Sequence, residues 1–109
     1  MIYQFDNIDV DLSQFELRVA GVVTPIEPKV FNLIVYLIQH RDRIVSRDEL
    51  FEQVWQGRTV SDTTLSNHIK SARKILGDKG NAQQVMKTIH TRGYQFIIAV
   101  QEMSLTNSP

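Results

Sequence analysis

The residues best equipped for specific chemistry follow Asp62: Thr63, Thr64, Ser66, Asn67, Lys70, Ser71, Arg73 and Lys74. They combine hydroxyl and amide groups, which donate and accept hydrogen bonds, with cations, and no carboxylate stands among them. This mixture suits the edges of nucleic-acid bases and the phosphates beside them. A solvated amphipathic helix could carry the same mixture for solubility alone, so the run by itself leaves both readings open.

A helix must present these groups. Leu65, Ile69, Ala72 and Leu76 recur at intervals of four, three and four and define one buried stripe, which predicts a helix over 62–76 capped by Ser61 and closed by Gly77. Before it, Ser46-Arg47-Asp48-Glu49 is a capping box in which the Ser46 hydroxyl and the Glu49 carboxylate each satisfy an orphan N–H. Leu50, Phe51, Val54 and Trp55 continue that second helix, and Gln56 to Val60 form a short connection to the third. Upstream, Pro28 suits a first helical turn, and Val30 to Gln39 is apolar on most sides, so the first helix is expected to be core.

Strands flank the helices. From Met1 to Val23 apolar and polar residues roughly alternate, which reads as several short antiparallel strands. Val85 to Ile89 and Tyr94 to Val100 read as a hairpin over 85–100, with His90-Thr91-Arg92-Gly93 at a cationic tip able to enter a minor groove. The expected class is α+β. The expected organisation is one domain over 1–102, then a flexible tail or linker stub over 103–109.

Composition narrows the function. The 109 residues are 42% hydrophobic, enough for one core, and contain no cysteine, so disulfides and thiolate metal sites are excluded. The net charge is zero, yet residues 1–54 carry five basic and nine acidic side chains and residues 55–109 carry seven and three. The second half is therefore where a polyanion would dock. The longest apolar run, Leu33 to Ile38, is too short to cross a bilayer. No nucleophile elbow or phosphate loop is present, so no enzyme, cofactor or small-molecule substrate is expected. His40, His68 and His90 are widely separated, and Asp6, Asp9 and Asp11 lack the Gly and terminal Glu of a calcium loop; no metal site is expected, and those aspartates read as a solvated edge. Trp55 reads as core, and Tyr94 and Phe96 as anchors of the hairpin.

Several segments also carry a resemblance: Glu27-Pro28-Lys29, Val45 to Leu50, Val54-Trp55, Val60-Ser61-Asp62, His68-Ile69-Lys70, Arg73-Lys74 and Gly93-Tyr94-Gln95-Phe96. From Glu27 to Phe96 the chain resembles the winged-helix domain of OmpR/PhoB-type response regulators, and more closely the bacterial ToxR/CadC-like branch, which lacks a phosphorylatable receiver. The resemblance implies a winged helix-turn-helix: a four-stranded N-terminal sheet, three helices and a C-terminal hairpin wing. It implies sequence-specific binding of double-stranded promoter DNA, with Thr63, Ser66, Asn67, Lys70 and Ser71 near bases in the major groove. Thr64, His68, Arg73 and Lys74 would lie nearer the DNA backbone, and His90, Thr91 and Arg92 at the minor groove. Gln56, Gly57, Arg58 and Thr59 correspond to a loop that in the family often touches RNA polymerase.

The resemblance further implies a dimer, on DNA or through a longer chain, and a cytoplasmic, nucleoid-associated place, either free or as the cytoplasmic head of an inner-membrane regulator. Two departures stand out. His90 and Thr91 occupy positions where the family usually has a basic residue and a Gly, and Ser71 replaces the second of two adjacent cations. Both predict modest affinity for a lone domain. The competing reading is a winged helix that docks a regulator or polymerase subunit without binding DNA, for which the acidic first half would be the docking face.

Overall fold

The computed structural model describes residues 1–58, 60–78 and 84–103. The chain divides into two compact units, one of residues 28–98 and one of residues 1–27 with the chain from 99 onward.

The second of these is a sheet. Strands β1 (Ile2–Phe5), β2 (Ile8–Asp11), β3 (Glu16–Val19) and β4 (Val22–Thr24) form a meander in which each strand pairs antiparallel with the next. Register places Tyr3 opposite Val10 and Val10 opposite Leu17, so the alternation read from the sequence puts Tyr3, Phe5, Ile8, Val10 and Leu17 on one buried face. A fifth strand, Gln101–Met103, pairs antiparallel with β1, Met103 lying opposite Ile2. Met103 is thus part of the sheet and not the start of the tail; the rest of that segment, 104–109, lies outside the described residues. Asp11 corrects the expectation of a solvated edge. It is only 3% exposed and accepts from the Ser13 and Gln14 N–H groups at 3.0 and 3.1 Å and from Arg18 Nη2 at 3.2 Å. Burial pushes its carboxyl up, but the Gln14 N–H, Arg18 and the Ser13 N–H together hold it below the ordinary value.

The unit of residues 28–98 holds three helices and the hairpin. Helix α1 (Pro28–Gln39) buries Val30, Phe31, Leu33, Ile34, Leu37 and Ile38, as expected of the core helix. Helix α2 (Arg47–Gln53) starts at Ser46, whose Oγ accepts from the Glu49 N–H at 3.1 Å. The reciprocal half of the capping box is absent. The Glu49 carboxylate instead accepts from Arg43 Nη1 and Nη2, at 2.7 and 2.6 Å, and from the Tyr36 hydroxyl. A charged, bidentate partner outcompetes a single backbone N–H. Helix α3 (Asp62–Ile75) is capped by Ser61, whose Oγ accepts from the Thr64 N–H at 3.1 Å, and buries Leu65, Ile69 and Ala72, with Leu76 buried just past its end.

After α3, Asp78 anchors the approach to the hairpin. Its buried carboxylate accepts from the backbone N–H groups of Gln84, Val85 and Met86 at 2.8, 3.2 and 3.0 Å, which fixes the entry to the wing. The wing pairs Met86–Ile89 with Gly93–Phe96; in chain order these are β5 and β6, and the fifth strand of the sheet is β7. The first wing strand starts one residue later than the Val85 expected, and the second runs over Gly93–Phe96 in place of Tyr94 to Val100; from residue 99 the chain belongs to the other unit. Val45 and Tyr94 exchange backbone hydrogen bonds of 2.8 and 2.9 Å, which seats β6 against the residue before the α2 cap.

Candidate nucleic-acid interface

Helix α3 separates its residues as the stripe predicts. Thr63, Ser66, Asn67, Lys70, Ser71 and Lys74 are exposed and recur every three or four residues, so they form one strip along the helix. Apart from the first-turn Asp62, this strip carries no negative charge, and Asp62 is paired with Arg47 at 3.4 Å. Arg73 and Lys74 fall in the last turn, where cations complement the helix dipole.

Three further residues are half-buried. Thr64 shares a 3.0 Å hydrogen bond with Ser61 at the cap. His68 lies on the flank toward the α2–α3 connection: its Nδ1 is 2.7 Å from the Thr64 carbonyl oxygen, and its ring meets the buried Trp55 edge-on with centroids 5.3 Å apart. Arg73 reaches the wing, where its Nη2 donates to Thr88 Oγ1 on β5.

At the wing tip His90, Thr91 and Arg92 are all exposed, and the Arg92 N–H closes the turn on the Ile89 carbonyl at 3.0 Å. Thr91 sits at φ 62°, the left-handed region that favours Gly, so a β-branched residue stands where the backbone strains it. Arg47 lines an open depression together with Thr88 to Tyr94. Nothing in the sequence around Arg47 marks it for this depression; the long-range Val45–Tyr94 pairing brings the start of α2 beside the wing.

The connection after α2 turns sharply. Gln56 and Gly57 take φ 56° and 76°, Gly57 and Arg58 donate to the Phe51 and Trp55 carbonyls at 3.0 Å each, and Lys29 Nζ donates to the Val54 carbonyl at 3.0 Å. Gln56, Gly57 and Arg58 are exposed; Thr59 lies outside the described residues.

Residues 21–96 match the family described as transcriptional regulatory protein, C terminal. The chain belongs to this OmpR/PhoB-type winged-helix family. The family is a transcription-regulator DNA-binding domain and not an enzyme. Among similar proteins, the cholera toxin transcriptional activator of Vibrio cholerae is 39% identical over 72 residues, 64% of this chain and 24% of that protein. Transcriptional activator CadC of Escherichia coli is 33% identical over 76 residues, 69% of this chain and 15% of CadC. The chain thus spans a quarter or less of these two relatives. The solved DNA-binding domain of Escherichia coli CadC superposes with a TM-score of 0.78 at 27% identity, covering 92% of this chain and 94% of that one. Among the described residues, no helix is long and apolar enough to cross a membrane.

Proposed function

We propose that this winged-helix domain binds double-stranded promoter DNA sequence-specifically, with α3 in the major groove and the wing tip in the adjacent minor groove. The observation that carries this reading is the exposed strip of α3. Thr63, Ser66, Asn67, Lys70 and Ser71 offer donors and acceptors to base edges, and Lys74 continues the same strip toward phosphate. Thr64 and His68 flank it on the side of the α2–α3 connection. Arg92 supplies the minor-groove cation, with His90 and Thr91 beside it and Arg47 adding positive charge at the tip.

In this reading residues 1–102 act as one DNA-binding domain, two copies occupy repeated half-sites, and Gln56, Gly57 and Arg58, with Thr59, meet RNA polymerase. The similarity to CadC and to the cholera toxin activator supports a regulator that works in the bacterial cytoplasm at the nucleoid, as the DNA-binding head of a longer chain. Two tethered copies raise occupancy through effective concentration, so modest affinity per domain suffices.

Selection from random duplex DNA at two salt concentrations tests it. An enriched motif whose affinity falls with salt as if about four to six counterions were released supports the reading. Absence of both, even with tethered pairs, overturns it in favour of protein docking.

A further inference from the structure

Arg73 does not share the environment of the exposed cations on its helix. Lys70 and Lys74 project from the strip, whereas the Arg73 guanidinium folds onto β5: Nη2 donates to Thr88 Oγ1, and Nε is buried without a hydrogen-bond partner among the described residues. Burial withdraws Nε from a phosphate, and the bond to Thr88, which lies at the surface, engages Nη2. Thr88 is a revealing place for the contact. It lies opposite Tyr94 in the hairpin register, Tyr94 exchanges both backbone hydrogen bonds with Val45, and the strand runs from Thr88 directly into the His90–Arg92 tip. The hairpin is thus held at its entry by Asp78 and along β6 by Val45 and Arg41, while on β5, two residues from the tip, it is held by a side chain from the last turn of the recognition helix.

We infer that Arg73 is a positioning residue that couples the recognition helix to the wing, fixing where the tip stands relative to α3, rather than a phosphate contact. The inference rests on the DNA-binding reading for its functional consequence but not for its geometry. A rigid link matters because two grooves must be met at once: a tip free to swing loses its minor-groove contribution to disorder, even though Arg92 is intact.

Two readouts test it. The chain has no cysteine, so spin labels placed through Asn67→Cys and His90→Cys report the helix-to-tip distance by electron paramagnetic resonance without DNA. The distribution should be narrow with Arg73 and broaden in Arg73→Met and in Thr88→Val, a variant that removes the acceptor and no charge. On DNA, Arg92→Ala should weaken binding about tenfold in the native background but less than about threefold beside Arg73→Met, with the salt slope of Arg73→Met itself unchanged. Thermal melts establish that each variant is folded, and Thr88→Val carries the test if Arg73→Met is not. An unchanged distance distribution in both variants overturns the inference. So does an additive cycle with the slope reduced by about one counterion, which is the signature of a phosphate contact. Broadening without any DNA binding by the native domain would sustain the link and sink the functional reading instead.

Discussion

Gly93 lies against the backbone of Val45 so closely that a Cβ on it would stand 2.0 Å from the Val45 carbonyl oxygen. A Gly beside the tip reads from the sequence as a turn residue, but here it is what allows β6 to pair with the chain ahead of α2. Gly93 also sits at φ 141°, so any side chain meets both a clash and a strained backbone. Gly93→Ala should destabilise the domain by about 2 kcal/mol or more and detach the wing. A thermal melt and the loss of amide protection at Tyr94 would check it; a native-like melt would mean the strand shifts to accommodate the methyl group.

Thr91 offers the opposite case. Its left-handed conformation costs a β-branched residue energy that Gly would not incur, so Thr91→Gly should raise stability by up to about 1 kcal/mol. Denaturant titration measures this directly, and a drop would show that the Thr91 side chain makes up for the strain.

On the DNA side, Lys70→Ala and Arg92→Ala should each weaken binding by about 1 to 3 kcal/mol if they read bases, and less if they meet only phosphate. Ser71→Arg adds a second cation beside Lys70 and should tighten binding to many sequences. Fluorescence anisotropy on the selected duplex distinguishes these outcomes; equal affinity in both alanine variants would remove the strip and tip from the interface.

Glu49 makes stability depend on acid. The Arg43 guanidinium, helped by the Tyr36 hydroxyl, holds its carboxyl near a pKa of about 2, against an ordinary value of 4.5. Because the folded value is the lower one, the contribution is fully present above pH 4.5 and is lost as pH falls toward 2. Glu49→Gln should cost about 1 kcal/mol near neutrality, since Arg43 is partly solvated, and flatten the melting temperature across that acid window. A variant whose acid profile matches the native one would place the dependence elsewhere, with Asp11 the next group to replace.

Much of this is legible in one dimension. The stripe of Leu65, Ile69, Ala72 and Leu76 defines α3 and therefore its opposite strip, and Ser46 and Ser61 mark two helix starts because a hydroxyl cap acts within three residues. Long-range competition is not legible. Glu49 is claimed by Arg43 and Tyr36, Asp11 is drawn under Arg18, and Asp78 in a polar loop becomes the anchor of the wing entry. The strand Gln101–Met103 has no alternation and is wholly exposed, so only its pairing with β1 defines it. The link from Arg73 to Thr88 has no signal at all, since an Arg near a helix end is ordinarily solvated.

The seating of β6 has a consequence during synthesis. The Gln95 side chain bonds the Arg41 carbonyl across 54 residues, and Val45 waits similarly long for Tyr94. A chain emerging from the ribosome can complete all three helices while the two backbone groups of Val45 still face water. Until Tyr94 leaves the exit tunnel, the N–H and carbonyl of Val45 just ahead of α2 lack the partner that the folded domain gives them.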